Sequence, residues 1–297
     1  MNKVLLTGAT GFIGSHLTPQ LVGKGNNVFA LVRNKNATIP GCSIIHGDLA
    51  IPESLSDLST RSYGCKLLIH LAALIPQGLE HTDQKDSMNN LNVDSTNNLL
   101  MALPKTISHV IVASTIDVYG LPKFLPITEC HPTKPVTPYG ESKLKVEKLI
   151  RNYLKINGIK GTILRLSQVY GPGEPVIKAI PKFIQSIKSG EAPTLFGDGS
   201  ELRDYVHVGD VVQSILLASF KQPNGTINIA GGKKVALKDV LEMIIDISGK
   251  KIKVEYKKRT RDKIDLFFNL TKANNELKFV PQTNLKNGLK KQFVSNL

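Results

Sequence analysis

A tyrosine and a lysine one helical turn apart are the residues of this chain most suited to chemistry. In "TPYGESK" (Thr137 to Lys143), Pro138 suits the first turn of a helix, and a spacing of four sets Tyr139 and Lys143 on one helical face. Such a pair can pass a proton to or from an oxygen, but a free phenol with a pKa near ~10 is a poor base at neutral pH. The Lys143 ammonium would favour the phenolate, and lowering the phenol by about three units corresponds to roughly 4 kcal/mol of differential stabilisation. Upstream, "ASTIDVYG" ends a predicted strand and offers two hydroxyls, Ser114 and Thr115, that could donate to the same oxygen. Taken alone, a Tyr and a Lys at this spacing read as a surface pair. Their chemical weight comes from the elements around them.

Those elements follow a pattern. "KVLL" (Lys3 to Leu6), "NVFALV" (Asn27 to Val32), "CSIIHGD" (Cys42 to Asp48), "KLLIHLAA" (Lys66 to Ala73), "HVIVAS" (His109 to Ser114) and "GTILRLS" (Gly161 to Ser167) are apolar, β-rich runs. They alternate with helical patterns around Leu17, Leu55, Leu99 and Leu149. The alternation implies an α/β fold, a doubly wound parallel sheet covered on both faces. After Ser167 the texture changes: "VYGPGEP" brings punctuation, followed by irregular helices and short strands.

The first strand ends at Thr7, and "TGATGFIG" turns the chain into a helix whose N-terminus offers unpaired amide N–H groups and a partial positive charge. An anion belongs there. Gly8 allows the tight turn, Gly11 lets a pyrophosphate approach the backbone without meeting a Cβ, and Gly14 allows helix and strand to pack closely. One local rule is broken: Pro19 falls inside the first predicted helix, where it deletes a hydrogen bond and should kink the helix or shift its register.

Composition sets the outer bounds. A chain of 297 residues, 41% of them apolar, can bury a sizeable core. The three cysteines (Cys42, Cys65, Cys130) form neither a disulfide framework nor a zinc or iron–sulfur spacing, so no metal is expected and a reducing, cytoplasmic setting is. No stretch approaches the length that spans a bilayer, and no membrane partner is expected. The net charge of +14 could attract nucleic acid or small polyanions such as nucleotides. RNA readers expose stacking aromatics, whereas this chain is 6% aromatic with no Trp, which disfavours nucleic acid. The densest basic cluster, "GKKIKVEYKKRTRDK" (Gly249 to Lys263), reads as a solvated strand and loop.

Preceded by Thr7 and spaced Gly-x-x-Gly-x-x-Gly, the glycine loop resembles that of the short-chain dehydrogenase/reductase superfamily, in its extended branch. The resemblance covers nearly the whole chain. It implies a Rossmann-type NAD(P)-binding domain over 1–167 and a smaller α/β nucleotide-sugar domain over 168–297, with a soft boundary because the chain can cross back. It implies cofactor contacts from Gly8, Thr10, Gly11, Phe12, Ile13 and Gly14, from Asp48 and Leu49 in "HGDL", from Leu71, Ala72 and Ala73 in "HLAA", and from Asn92 in "NVDSTNNLL". It implies catalysis by Thr115, Tyr139 and Lys143, with Lys143 also holding the nicotinamide ribose and acting with a cationic nicotinamide to favour phenolate. In the NAD-preferring pattern an acid closes the second strand; here Val32 stands there, followed by Arg33, which can form charge-assisted hydrogen bonds to a 2′-phosphate. NADP(H) is therefore favoured, and NAD(H) is possible.

Later segments resemble the nucleotide-sugar enzymes of that branch, and a nucleotide-diphosphate sugar is the implied partner. Arg203 in "RDYVHV" is the implied diphosphate contact, Gln168 stands where the branch usually has Asn, Phe196 packs near the nucleotide, and Ser114 is the neighbour and fallback of Thr115 on the substrate side. Sugar 4,6-dehydratases of the branch carry an Asp-Glu pair after the catalytic Thr; here Ile116 and Asp117 follow it, and Asp117 reads as a hydrogen-bonded turn acid. Two reactions stay open. Arg33 and the missing ribose acid favour NADPH-dependent reduction of a 4-keto-6-deoxy sugar at C4, and the alternative is a 4-epimerisation that keeps NAD bound. The resemblance also implies a homodimer through the helix bearing Tyr139 and its neighbour. A catalytically inactive nucleotide-sensing or RNA-binding member is the remote alternative, opposed by the presence of Thr115, Tyr139 and Lys143 together.

Overall fold

A computed structural model describes residues 2–75, 85–175, 178–259 and 262–295. In chain order the elements are β1 (Lys3–Thr7), α1 (Phe12–Gly23), β2 (Asn27–Val32), β3 (Cys42–His46), α2 (Leu58–Arg61), β4 (Leu67–His70), α3 (Lys85–Met101), β5 (His109–Thr115), α4 (Pro138–Asn157), β6 (Lys160–Leu166), β7 (Gln168–Tyr170) and α5 (Ala179–Ser189). They continue with β8 (Thr194–Phe196), β9 (Leu202–His207), α6 (Val208–Lys221), β10 (Gly225–Ile229), β11 (Lys234–Ala236), α7 (Leu237–Ser248), β12 (Glu255–Lys257) and α8 (Leu285–Val294).

The apolar runs become central strands because they are buried on both faces, which only a sheet covered by helices allows. The order is β10-β6-β5-β4-β1-β2-β3, and every pair is parallel. The period of two splits β1 between two cores. Val4 and Leu6 face Leu17 and Leu21 of α1 and Val211 and Ile215 of α6, while Leu5 faces Leu99 and Leu100 of α3 and Val146 and Ile150 of α4. Each such side chain contributes about 1.5–3 kcal/mol by leaving water. Between β1 and β4 the strand order reverses, so the chain leaves these strands toward opposite faces and a crevice opens past their carboxyl ends, where Thr7 and His70 are registered partners. The doubly wound Rossmann-like fold is thus as the alternation predicts.

The soft boundary at Ser167 falls between β6 and β7, and the chain later returns to the main sheet: α6 packs on it and β10 pairs with β6 at its edge. The remainder forms a smaller body with sheet β11-β9-β7, the pair β12-β8, and α5, α7 and α8 around a separate core. In α5 the buried Ile180, Phe183, Ile184 and Ile187 make the apolar stripe that docks it there. The basic cluster is less free than a solvated loop. Lys250 Nζ donates to the carbonyls of Ile187 (2.7 Å) and Lys188 (2.9 Å) at the end of α5, and Arg259 pairs with Asp198 (2.8 Å) and Glu201 (2.9 Å).

Helix α1 runs on through Pro19. The carbonyl deprived of its donor is that of Ser15, and both residues are exposed, so water can take the place of the lost bond. Among the described residues no helix is long and apolar enough to cross a membrane.

Candidate active site

The crevice begins with the glycine loop. Gly8 has φ +74°, and a Cβ there would lie 2.7 Å from the Ala72 nitrogen. A Cβ on Gly14 would lie 2.0 Å from the Gly8 carbonyl oxygen and 2.8 Å from Ala9 Cα, so helix and loop touch backbone to backbone. Gly11 differs: its Cβ would meet only the Gly8 oxygen, at 3.3 Å, and would otherwise point into open space. Gly11 caps α1 without a side chain, and the first turn carries no acid, so the amides of Phe12 and Ile13 face outward with the positive end of the helix. The floor is pinned from behind, where Thr7 Oγ1 lies 2.7 Å from His70 Nδ1 and accepts from the Ala72 N–H at 3.2 Å, while the Leu71 N–H donates to the Thr7 carbonyl. A cradle that a Cβ at Gly11 would fill, open at a helix N-terminus, fits the diphosphate of a dinucleotide.

Around the cradle the other expected contacts take different positions. Val32 is buried at the end of β2 and Arg33 is exposed just beyond it. Asp48 accepts from the Ala50 N–H at 2.9 Å, and the Leu49 carbonyl accepts from Asn98 at 2.9 Å. Leu71 and Ala72 are half-buried, whereas Ala73 and Thr10 are exposed. Asn92, expected as a direct contact, has both amide hydrogens engaged within the chain. It accepts from the Leu74 N–H (2.7 Å) and donates to the Leu74 carbonyl and to Ser142 Oγ (3.1 Å each). It clips the segment after β4 to α3 and α4.

Local capping places the catalytic candidates. Thr115 ends β5 and its Oγ1 accepts from the Asp117 N–H at 3.2 Å, starting a 3-10 turn over Ile116–Tyr119. Thr137 caps α4 by accepting from the Gly140 N–H at 3.0 Å, with Pro138 in the first turn. Two glycines that the sequence reading passed over let these segments meet. A Cβ on Gly140 would lie 2.6 Å from the Asp117 carbonyl oxygen, and one on Gly120 (φ +66°) would lie 1.8 Å from that of Lys134. The signal was present, since each glycine follows a tyrosine in "VYG" and "PYG".

The electrostatics reverse one expectation. Tyr139 is not acidified by the chain itself: burial, and after it the Asp117 carboxylate, hold the phenol above its usual range. Lys143, 3% exposed, is pulled down to about 8 by burial, against the upward pull of Glu147. His70 is held at about 3 by burial and then by Lys143, so it is a neutral hydrogen-bonding group between Thr7 and Thr96. Burial pushes the Asp117 carboxyl up, opposed by Lys178 and Thr115. More than a turn acid, it is a carboxyl set against the phenol. Ser114 also moves: it is buried and donates to Glu147 Oε1 at 2.7 Å, so its hydroxyl faces the interior and not a substrate.

On the far side of the crevice, Gln168 opens β7 in register with Tyr205 of β9. Arg203, also on β9, donates through one nitrogen to the carbonyls of Leu202 (3.0 Å) and Ile264. Among the described residues it forms no ion pair, because Glu201 is taken by Arg259 and Asp204 accepts from the Phe268 N–H. The guanidinium's other donors are available to an anion. Phe196 lies half-exposed on β8.

Known proteins resemble this arrangement over nearly the whole chain. Residues 4–230 match the model of the NAD dependent epimerase/dehydratase family. A UDP-glucose 4-epimerase of Lactobacillus helveticus is 34% identical over 243 residues, covering 73% of this chain and 71% of that protein. Among solved structures, a UDP-glucose 4-epimerase of Thermotoga maritima with UDP-glucose superposes with a TM-score of 0.89 at 26% identity, covering 98% of this chain and 97% of the other. A UDP-glucuronic acid 4-epimerase of Bacillus cereus in complex with UDP-glucuronic acid and NAD gives 0.87 at 28% identity, covering 98% of both chains. With its sheet order, its glycine cradle and this match over most of its length, the chain belongs to the NAD dependent epimerase/dehydratase family.

Proposed function

We propose that this protein is a UDP-sugar 4-epimerase that keeps NAD bound through its cycle. The observation that supports this reading is that α4, with Tyr139 and Lys143 one turn apart, meets the turn that Thr115 opens so closely that a Cβ on Gly140 would lie 2.6 Å from the Asp117 carbonyl oxygen, in a chain similar to proteins named as UDP-glucose 4-epimerases. The comparisons back the epimerase alternative over the net reduction of a 4-keto sugar that Arg33 and the missing ribose acid favour.

Gly8, Gly11, Gly14 and the first amides of α1 would hold the diphosphate, and Lys143 the nicotinamide ribose. When bound, the dinucleotide supplies the redox step, its nicotinamide taking a hydride from the sugar and giving it back. The chain supplies the proton step. Tyr139 Oη takes the proton of the sugar 4-hydroxyl and later returns it, with Thr115 Oγ1 steadying the same oxygen. A phenol held high by burial and Asp117 favours the return; removal of the proton depends on the positive charges gathered around it, of which Lys143 is the chain's own. Arg203 would grip the UDP diphosphate. Helices α3 and α4, with exposed Met101 and Ile156 at their ends, are where we place the contact between two copies.

The test is incubation of the purified protein with UDP-glucose, UDP-galactose and their N-acetylated and uronic counterparts, resolved by chromatography. Interconversion at C4 without net change in nicotinamide absorbance is the expected result. Stoichiometric loss of NADPH on a 4-keto-6-deoxy sugar, with no epimer formed, would reject the reading.

Arg33 makes a separate prediction. With Val32 in place of an acid and Arg33 after it, the end of β2 presents no carboxylate to repel a 2′-phosphate, so NADP should enter as well as NAD. Arg33→Ala should weaken NADP binding about tenfold, the worth of a charge-assisted contact, and leave NAD nearly unchanged. Titration of both dinucleotides by fluorescence reads this directly, and equal losses would refute a phosphate contact.

A further inference from the structure

One carboxylate close to the site has no place in the mechanism above. Glu147 follows Lys143 by one helical turn on α4 and is fully buried. Its Oε1 accepts from Ser114 Oγ (2.7 Å) and from Arg165 Nε (2.9 Å), while Oε2 accepts from a second Arg165 nitrogen (2.7 Å) and from Arg151 (3.2 Å). Arg165 is itself buried, and its guanidinium lies 4.7 Å from the centre of the Tyr119 ring, whose hydroxyl donates to Asn228 at 2.6 Å. Glu147 thus pairs with the buried Arg165 and the half-exposed Arg151, and one helical turn before it on α4 lies the buried Lys143, whose ammonium it favours through space.

We propose that Glu147 is a positioning residue for Lys143: fixed by Ser114, Arg165 and Arg151, its carboxylate keeps the buried Lys143 side chain cationic beside Tyr139. The inference rests on the epimerase reading for its purpose, since that reading needs Lys143 charged, but not for its physics. Burial opposes the ammonium, and an opposite charge nearby favours it. The groups facing Lys143 leave that part to Glu147. His70 of β4, on which Lys143 acts, is neutral; Asp117, in the turn after β5, is set against the phenol; Arg165 of β6 acts with Glu147 and Tyr119; and Glu147 is the anion that acts on Lys143.

The experiment reads the charge of Lys143 and not turnover. Full-length protein labelled at the lysine ε-carbon is titrated by NMR, and the Lys143 signal is identified by its loss in Lys143→Met. In the unaltered protein the midpoint is expected at about 8. Glu147→Gln should lower it by about one pH unit or more, and Glu147→Asp should restore much of the difference. An unmoved midpoint in a folded Glu147→Gln protein overturns the proposal. If that variant does not fold, Glu147→Asp decides: drawing the carboxylate back by one methylene should lower the midpoint by less than the full effect, and an unmoved or raised midpoint overturns the proposal. Absence of epimerase activity in the unaltered protein would count against the proposed function and leave this titration intact.

Discussion

Tyr139→Phe is expected to reduce epimerisation by about three orders of magnitude, the range in which one positioned general acid–base contributes. The substitution removes a single oxygen. Among the described residues that oxygen forms no hydrogen bond, and the ring fills the same volume as before, so folding and dinucleotide binding should be nearly unchanged. The loss should therefore fall on kcat, with KM for the UDP-sugar altered little. Steady-state kinetics, a thermal melt and a dinucleotide titration on one preparation measure all three. Retention of more than about a tenth of the activity would remove Tyr139 from the proton step.

The second large effect is one of stability, and it divides two glycines three residues apart. Gly14→Ala puts a methyl group 2.0 Å from the Gly8 carbonyl oxygen and 2.8 Å from Ala9 Cα. Both neighbours are backbone, so no side chain can swing aside, and α1 must lift from β1 or the loop must unwind. A cost of about 3 kcal/mol, at the upper end for overpacking, is expected, and with it a fall in melting temperature on the order of 6 °C or more. Gly11→Ala should do the reverse. Its methyl group meets only the Gly8 oxygen at 3.3 Å, so the melting temperature should hold while dinucleotide affinity drops about tenfold or more. Were Gly11→Ala to bind NAD as the unaltered protein does, the diphosphate would not lie in the cradle.

Much of this could be read from short stretches of chain. The turn from β1 into α1 lies within "LLTGATGFIG", and the roles of Gly8 and Gly14 follow from backbone spacing over those few residues. The pairing of Tyr139 with Lys143 and the start of α4 are equally local, because a helix repeats every 3.6 residues and Pro138 and Thr137 mark its beginning. Strands separated by helices imposed the parallel sheet, since apolar runs need cover on both faces.

What no local stretch contained was which groups meet across the sheet. Ser114 and Thr115 are adjacent and chemically alike, yet one donates into the interior to Glu147 and the other ends its strand at the site, because successive strand residues point to opposite faces. Asn92 reads from the sequence as a cofactor contact, and only folding brings Leu74 and Ser142 to its amide. The phenol's acidity was misread for the same reason. Helical spacing puts an ammonium beside it, but the depth of burial and the approach of Asp117 are set by tertiary packing, and these outweigh the neighbour one turn away. Spacing along the chain thus determined which residues share a face, while desolvation and charge, which depend on distance through space, were decided only when the strands were assembled.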